Sequence, residues 1–391
     1  MLPIEHFSIS TNTYFGINAS LKVPDYLTEL GFERPGVIID ETIATLPPFN
    51  LLLERWLEQG LRPLKVFHSR SKMEPDYDYL DEVTDNFRLI EPDILLGIGG
   101  GSVLDLAKGV GILLRNPGRG IEYRGMDKVT RPGVPVVLIP TTAGTGSEVT
   151  KTASFIDKAS KTKLGINGKY VDCLVTFLDP SLVTSCPPSV TICSGLDALV
   201  HAIEAVTTKT ANVISILFGF EAVRLLFEGL PVAIEQPVNS EARAHTLLGS
   251  HYAGIAMWNA QGGPASGISY PVGVHFGVPH GFAGGILLPH VVAFNLARGY
   301  TSVYARLYER LNDGHSGGGN DIAKATSFHD SLFELYRRLN APRTLTRWNI
   351  GRDAVQALTD LTMAQRKESL DFNPVPFGKE DVIELLEAVT V

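Results

Sequence analysis

The stretch DILLGIGGGSVLDLAKG (93–109) places a strand, a glycine loop and a helix directly after one another. Its apolar first half is typical of a buried strand, and we predict a helix from Ser102 to Leu114. Glycines let the backbone approach an anion closely, and the first N–H groups of a helix point at it. The loop therefore predicts a site for nucleotide phosphates, although a glycine-rich turn is also a common structural feature. Its spacing is neither that of the common dinucleotide fingerprint nor that of a P-loop.

A second loop, PTTAGTGSEVT (140–150), follows another apolar strand and is dense in hydroxyl groups. Ligands of α/β proteins bind at the carboxyl ends of strands, so two such loops favour phosphate binding over plain turn chemistry. Asp40 also ends a predicted strand, VIID (37–40), where a carboxylate can bind a ribose 2′-hydroxyl and repels a 2′-phosphate. Its alternative role is to cap the segment that follows.

Strands alternate with helices over the first half of the chain, and their apolar runs indicate a mainly parallel sheet covered on both faces. After Pro187-Pro188 nearly every segment has helical periodicity. We predict an α/β dinucleotide-binding domain at residues 1–185 and an all-α domain at residues 186–391. GHSGGGN (314–320) is predicted to be an exposed linker. The predicted helices of the second domain are 194–207, 214–230, 240–258, 290–296, 303–311, 321–339, 352–361 and 379–389.

The composition is that of a globular protein without an electrostatic footprint for nucleic acid or an anionic membrane. Hydrophobic residues make up 44% of the chain, charged residues 19%, and the net charge is −8. The N-terminus lacks the features of a signal peptide, and no apolar run approaches the roughly 20 residues that cross a bilayer. Three cysteines without a C-x-x-C pair favour a reducing compartment. We predict a soluble, cytoplasmic protein that binds neither nucleic acid nor membrane.

Asp197 and His201 lie four residues apart in GLDALVHAIEA (195–205), on one face of a predicted helix. A carboxylate and an imidazole at this spacing suit one half of a zinc or ferrous-iron site. The same pair also occurs as a structural hydrogen bond. The segment by itself therefore leaves both interpretations open.

The stretch from Asn259 to His290 is rich in glycine and proline, yet apolar, and it contains three further histidines. We interpret it as a turn-rich wall of an active site. His280 stands between a proline and a glycine and is predicted to lie on a turn that directs it towards Asp197 and His201. His290 is predicted to be a histidine at a helix start or in the core.

These motifs together resemble those of the iron-containing (group III) alcohol dehydrogenase family. The resemblance covers nearly the whole chain and rests on four segments in family order. They are GGGSVLDLAKG (99–109), PTTAGTGSEVT (140–150), DALVHAIEA (197–205) and PHGFAGGILLPHV (279–291). The resemblance implies a dehydroquinate synthase-like architecture, in which an α/β dinucleotide domain and an all-helical metal domain enclose the active site in their cleft.

The resemblance also implies the cofactors and their ligands. With Asp40 at its position, NAD is expected rather than NADP. The implied metal is Fe²⁺ or Zn²⁺ on Asp197, His201 and His280, and we predict a homodimer. The implied cofactor contacts are Asp40, Gly99, Gly100, Gly101, Ser102, Thr141, Thr142, Thr145, Val149, Lys163 and Leu182.

One position departs from the family pattern. The family usually reads N-A-x-x-G-x-x-H-x-x-x-H before the PHG turn, whereas this chain reads NAQGGPASGISY (259–270) in the same frame. Ser266 stands at the usual third histidine ligand, and Tyr270 stands at the second histidine. Three side chains could hold the metal with Ser266 as a weak ligand or an inert residue, or His275 could take that place. The site could also work without a metal, as in the related maleylacetate reductases.

The expected reaction is hydride transfer between NAD(H) and a small alcohol or aldehyde, with the oxygen polarised by a divalent metal. His280 is expected to take part, and Tyr270 or His275 is expected to relay the proton. A metal-independent reductase is an alternative, and so is a catalytically silent relative that binds the nucleotide. A polyol or glycerol-type dehydrogenase also fits. The change at the Tyr270 position suggests an unusual substrate, polar or anionic.

Overall fold

The computed structural model describes residues 6–70, 74–312 and 319–390. Within these ranges the chain forms two compact units, which we call the sheet unit and the helical unit. The sheet unit contains residues 9–187 together with 237–247. The helical unit contains a short N-terminal segment that ends at Ser8, residues 188–236, and the chain from Leu248 onward. The predicted linker at 314–320 lies almost wholly outside the described residues.

The sheet unit is built on a six-stranded, entirely parallel sheet with the order β1-β11-β6-β4-β2-β3. Two small sheets, β5-β10-β7 and β8-β9, lie outside it. The strands are β1 (Asn12–Phe15), β2 (Pro35–Asp40), β3 (Lys65–Ser69), β4 (Ile94–Gly99), β5 (Gly125–Met126), β6 (Val136–Pro140), β7 (Thr152–Ala153), β8 (Ile156–Asp157), β9 (Thr162–Lys163), β10 (Ile166–Asn167) and β11 (Val175–Leu178). Strand β1 lies at one edge of the six-stranded sheet.

Helices cover both faces of this sheet. The α-helices of the unit are α1 (Val23–Glu29), α2 (Pro47–Glu58), α3 (Tyr77–Arg88) and α4 (Gly101–Arg115), and 3-10 turns span Ala19–Lys22, Ile43–Thr45, Gly120–Tyr123 and Pro180–Val183. Successive strand residues point to opposite faces. Ile38 and Leu95 therefore belong to the cluster with α3 and α4, whereas Ile39 and Leu96 pack with the residues of α1 and α2. This is why the strands read as continuous apolar runs.

The strand order places a topological switch point beside the glycine loop. The chain runs from β2 outward to β3 and then returns to β4 on the opposite side of β2. The residues that follow β2 and β4 therefore leave the same edge of the sheet as neighbours. Open α/β sheets bind ligands at such a point.

The helical unit consists of α-helices with two further 3-10 turns, Leu345–Trp348 and Arg352–Ala354. Its main core includes buried residues of its first and fifth helices, such as Leu199 and Leu287, which are fully buried. The α-helices are α5 (Pro188–Thr207), α6 (Val213–Glu235), α7 (Ser240–Ala260), α8 (Pro264–Phe276), α9 (His280–Ala297), α10 (Ser302–Leu311), α11 (Asp321–Arg338), α12 (Val355–Gln365), α13 (Lys367–Asp371) and α14 (Lys379–Val389). The first residues of α7, up to Leu247, are grouped with the sheet unit.

The stretch from Asn259 to His290 is mostly helical, and the prediction that it is turn-rich is wrong. It contains all of α8 and the first eleven residues of α9. Pro264 occupies the first position of α8, where a missing N–H costs nothing, and Pro279 is the N-cap of α9. His280 is consequently the first residue of a helix. His290 lies inside α9 after Pro289 and does not start a helix.

The prediction that no apolar run is long enough to cross a bilayer is wrong for two helices. Helices α5 and α9 are long and apolar enough by length and composition. Their apolar windows are, however, 78% and 61% buried within the protein. Buried core helices of soluble proteins pass the same test, and both helices carry predicted metal ligands. Their apolarity is therefore explained by burial in the core.

Candidate active site

In the sheet unit, the glycine loop and the hydroxyl loop lie side by side. The carbonyl of Gly99, at the end of β4, accepts the N–H of Thr141 at 2.9 Å, which joins the ends of β4 and β6. Gly100 is the N-cap of α4 and has no side chain to cap the helix. The first amides of α4 are therefore presented beside the hydroxyl loop, as an anion site at a helix N-terminus requires.

Threonine side chains occupy the space that larger residues in the glycine loop would need. A Cβ on Gly100 would lie 3.3 Å from the hydroxyl oxygen of Thr142. A Cβ on Gly101 would lie 2.5 Å from Cγ2 of Thr145 and 2.7 Å from its hydroxyl oxygen. Thr141 adds a buried hydroxyl that has no hydrogen-bond partner among the described residues. The two loops thus form one structure in which glycine is required at Gly101 for steric reasons.

A buried ion pair fixes the hydroxyl loop to α4. Lys108 is 1% exposed, and its Nζ donates to the carbonyls of Ser147 at 2.7 Å, Thr150 at 3.2 Å and Thr152. Asp105 lies 3.7 Å from that Nζ and accepts the Ser147 hydroxyl at 2.5 Å. Burial lowers the pKa of Lys108 and raises the pKa of Asp105, and each group offsets part of the other's shift. These two residues therefore hold the hydroxyl loop against α4.

The other predicted cofactor residues lie on several different elements of the sheet unit. Asp40 ends β2 beside Gly99, and its carboxylate accepts the N–H groups of Thr42 at 2.8 Å and Ile43 at 3.2 Å. The capping role is therefore realised, and a carboxylate with several lone pairs can still accept a ribose hydroxyl. Lys163 lies on β9, where its Nζ is 2.6 Å from the Glu74 carboxylate. Ser102 is exposed in the first turn of α4, whereas Val149 and Leu182 are buried.

In the helical unit, three predicted ligands meet. Asp197 and His201 lie on one face of α5, and His280 begins α9. One potential ligand atom from each residue lies within 4.8 Å of the other two. Nε2 of His201 is 3.6 Å from Oδ1 of Asp197, and Nε2 of His280 is 3.9 Å from the same oxygen. The structure thus brings together the three residues that the sequence predicts to hold a metal.

Gly281 makes this approach possible. A Cβ at Gly281 would lie 2.0 Å from the carbonyl oxygen of Cys193 and 3.0 Å from Cβ of Asp197. The start of α9 therefore packs directly on the backbone of α5, and no other residue fits at this position without moving one of the helices. The glycine after His280 in the PHG turn has a steric function.

Ser269 orients His280 and was not identified from the sequence. Its Oγ donates to the carbonyl of Ser266 at 2.6 Å and lies 3.2 Å from Nδ1 of His280. Because the hydroxyl proton is used for the carbonyl, the Ser269 oxygen accepts from Nδ1–H. This assigns the proton of His280 to Nδ1 and leaves Nε2, the atom facing Asp197, as an electron-pair donor. Metal-binding histidines are oriented by the same kind of contact.

Glu204 is a second residue that sequence reasoning missed. It lies seven residues after Asp197 and is 2% exposed. Its carboxylate accepts the backbone N–H groups of Gly263 at 2.8 Å, Ala265 at 2.7 Å and Ser266 at 3.2 Å. Burial raises the pKa of this carboxyl, and the hydrogen bonds that it accepts act in the opposite direction. Glu204 thereby fixes the N-terminus of α8, the helix that carries Ser266 and Tyr270.

Ser266 and Tyr270, the two positions where the family pattern predicts histidines, have different surroundings. Ser266 is 3% exposed, and among the residues that the structure describes its Oγ has no hydrogen-bond partner. The ring of Tyr270 lies 4.7 Å from the ring of His280, centroid to centroid. His275, near the end of α8, is exposed, and the cluster found among the described residues does not include it. The structure therefore gives His275 no place at the predicted metal site.

The donor set fits a divalent transition metal. Two imidazoles and one carboxylate, facing one another in a largely buried place, form the 2-His-1-carboxylate set of ferrous iron, and zinc accepts the same donors. Nδ1 of His201 is buried and has no hydrogen-bond partner among the described residues.

Family models match both parts of the chain. The model of the iron-containing alcohol dehydrogenases matches residues 10–180, and that of the C-terminal part of the Fe-containing alcohol dehydrogenase family matches residues 191–390. This chain belongs to the iron-containing alcohol dehydrogenase family. It is accordingly an oxidoreductase that acts on CH–OH groups with a nicotinamide nucleotide.

Known members of the iron-containing alcohol dehydrogenases resemble it over most of their length. The NAD-dependent methanol dehydrogenase of Bacillus methanolicus is 34% identical over 80% of this chain and 81% of its own. The sulfoacetaldehyde reductase of Bilophila wadsworthia is 32% identical over 98% of both chains. A crystal structure of a 1,3-propanediol oxidoreductase superimposes with a TM-score of 0.90 at 25% identity, covering 98% of this chain and 99% of the other. The predicted α/β and all-helical fold is confirmed.

Proposed function

We propose that this protein reduces small aldehydes, or oxidises the corresponding alcohols, with NAD(H) and a divalent metal held by Asp197, His201 and His280. The convergence of these three side chains within 4.8 Å carries the proposal. The named substrates of its relatives, such as methanol and sulfoacetaldehyde, support a small substrate, either neutral or anionic. The metal is Fe²⁺ or Zn²⁺, because both accept this donor set.

The cofactor is assigned to the sheet unit. The amides at the start of α4 and the hydroxyls of Thr141, Thr142 and Thr145 would bind the pyrophosphate. Gly99, Gly100, Gly101 and Ser102 form the loop that admits it, and Val149, Lys163 and Leu182 are further proposed contacts. Asp40 supports NAD over NADP, because its carboxylate would repel a 2′-phosphate at the switch point.

When bound, the metal supplies Lewis acidity that polarises the carbonyl and stabilises the alkoxide, worth several kcal/mol. The side chains around it have separate tasks. His280 presents Nε2 to the site because Ser269 accepts its Nδ1 proton. Tyr270, in contact with the His280 ring, is our candidate for moving the substrate proton, and its position supports it over the exposed His275.

Ser266 favours a second candidate function, a metal-independent reductase similar to maleylacetate reductase. In that case His201, His280 and Tyr270 would stabilise the alkoxide by hydrogen bonds alone. A third possibility is a catalytically silent relative. The steric fit of the glycine and hydroxyl loops argues against it. We also propose that the protein is cytoplasmic and a homodimer. The homodimer is supported by exposed Tyr14, Phe15 and Ile17 on and beside edge strand β1.

A substrate panel tests the enzyme proposal. Purified protein would be assayed with short aldehydes and alcohols, using NAD(H) and NADP(H) in parallel. We expect turnover of several small substrates with a clear preference for NAD(H). Tight NADH binding without turnover of any member would overturn the proposal and favour the silent relative. Equal rates with NADP(H) would contradict the assignment of Asp40 but leave the reaction class intact.

A further inference from the structure

Arg366 lies one aromatic ring away from the proposed metal site. Its guanidinium carbon is 3.7 Å from the centroid of the Tyr270 ring, and that ring is 4.7 Å from the His280 ring. Arg366, Tyr270 and His280 therefore form a row from a permanent positive charge to a proposed metal ligand. The chain as a whole has a net charge of −8.

The backbone holds Arg366 at a fixed point. The residue joins α12 to α13, where its N–H donates to the carbonyl of Thr362 at 2.8 Å and its carbonyl accepts the N–H of Ser369 at 3.0 Å. A Cβ on Gly267 of α8 would lie 2.8 Å from Cβ of Ser369 and 3.7 Å from Cβ of Arg366. Glycine at 267 thus lets this junction pack closely on α8, on the helix that carries Tyr270.

The stacked geometry suits recognition of an anion. A guanidinium over an aromatic ring uses its face for the cation–π contact, while its five N–H donors lie in its plane. That planar arrangement matches two oxygens of a carboxylate or sulfonate, which an ammonium does not. Arg366 is partly exposed, so its charge is not sealed in the core.

We propose that Arg366 binds the anionic group of a short aldehyde or alcohol, a carboxylate or sulfonate close to the reacting carbon, and makes this enzyme prefer anionic substrates. The inference rests on the proposed function, because it places the reacting oxygen near His280. The guanidinium lies 3.7 Å from the Tyr270 ring and that ring 4.7 Å from His280, so a substrate that reaches both must be short, with its anion a few bonds from the carbonyl.

Matched substrate pairs test this role. Sulfoacetaldehyde would be compared with its neutral sulfone analogue, methylsulfonylacetaldehyde, and 3-oxopropanoate with its methyl ester. We expect the wild type to show a kcat/KM at least about tenfold higher for the anion of at least one pair, because a charged hydrogen bond is worth about one to two factors of ten. The pair with the larger preference identifies the sulfonate or the carboxylate as the recognised group.

Variants separate recognition from packing. Arg366→Gln should lower kcat/KM for the anionic substrate about 10- to 100-fold, mainly through KM, and change the neutral partner little. Arg366→Lys should restore part of the preference, because charge is kept but the planar donor pair is lost. Arg306→Gln, which removes an arginine stacked 5.0 Å over Phe220, is the control and should behave as the wild type.

The outcomes are distinguishable. Equal losses for anionic and neutral substrates in Arg366→Gln would overturn the inference and make Arg366 a packing residue for Tyr270. A wild type that reduces neutral aldehydes without any anionic preference would also overturn it, even if the variant does not fold. Absence of turnover of every aldehyde with NADH would instead be a failure of the proposed function.

Discussion

The two candidate sites of this chain differ in the groups that form them: one is formed by backbone atoms and the other by side chains. In the sheet unit, the candidate anion site consists of backbone, since Gly100 and Gly101 begin a helix and threonines fill the remaining space. In the helical unit, the candidate metal site consists of three side chains on two helices, which meet because Gly281 lets α9 pack against α5. A backbone site depends on where strands end and helices start. A side-chain site can be lost or altered by one substitution.

The two positions at which the sequence is predicted to depart from the family pattern, Ser266 and Tyr270, lie beside the side-chain site. The glycine and hydroxyl loops keep the family pattern and fit one another sterically. The changes at Ser266 and Tyr270 fall on α8, whose N-terminus is held by Glu204. A buried carboxylate can hold the helix in place whatever side chains stand at these two positions. Substrate and metal preference can therefore change in the helical unit without disturbing the cofactor site.

The largest effect is expected when a metal ligand is removed. His201→Ala should abolish stable metal binding and lower kcat/KM by about 10²- to 10³-fold, since several kcal/mol of transition-state stabilisation are lost. Metal content by elemental analysis and steady-state kinetics would measure both. His290→Gln is the matched control: burial lowers the pKa of His290, so a neutral amide replaces a neutral ring outside the cluster. Unchanged activity in His201→Ala would contradict the assignment.

A large loss of folding stability is expected when the buried lysine beneath the nucleotide loops is replaced. Lys108→Met leaves Asp105 buried without its partner and three carbonyls without a donor, which should cost about 3–5 kcal/mol of unfolding free energy. Denaturant unfolding would measure the loss, and NADH titration should show weaker binding. Lys367→Met removes an exposed ion pair with Asp371 and should cost less than about 1 kcal/mol. Equal costs would mean that Lys108 does not hold the loop.

A gain is expected from restoring the family ligand. Ser266→His should raise metal affinity roughly tenfold or more, the scale on which single groups tune such sites. Competition with a chelator would measure the change, with Ser302→His, an exposed serine at the start of α10, as a control for an added surface imidazole. An unaltered affinity would show that position 266 does not face the metal in this chain.

The smallest effect is expected in the glycine loop. Gly101→Ala places a Cβ 2.5 Å from Thr145, and such overpacking costs about 1–3 kcal/mol. We expect about a tenfold weaker affinity for NADH, measured by fluorescence titration, and no change in metal content. Gly319→Ala is the control, because its Cβ would meet its nearest neighbour at 3.7 Å. A full-affinity Gly101→Ala protein would argue against phosphate binding at this loop.

Sequence reasoning found the glycine loop, the hydroxyl loop and the meeting of Asp197, His201 and His280 because these depend on local order and fixed helical spacing. It failed on residues 259–290, where prolines at the first turn of α8 and at the N-cap of α9 start helices instead of preventing them. Glu204 was within reach, since it follows Asp197 by seven residues on α5. Ser269 and Arg366 were not, because only tertiary packing places them beside His280 and Tyr270.

The most direct test is removal and restoration of the metal in the wild-type protein. We expect about one equivalent of Fe²⁺ or Zn²⁺ per chain, loss of aldehyde reduction on complete chelation, and recovery when the ion is added back. NADH affinity should stay unchanged throughout, because the nucleotide loops belong to the sheet unit. Full activity in protein that elemental analysis shows to be free of metal would contradict the assignment of Asp197, His201 and His280 and favour a metal-independent reductase.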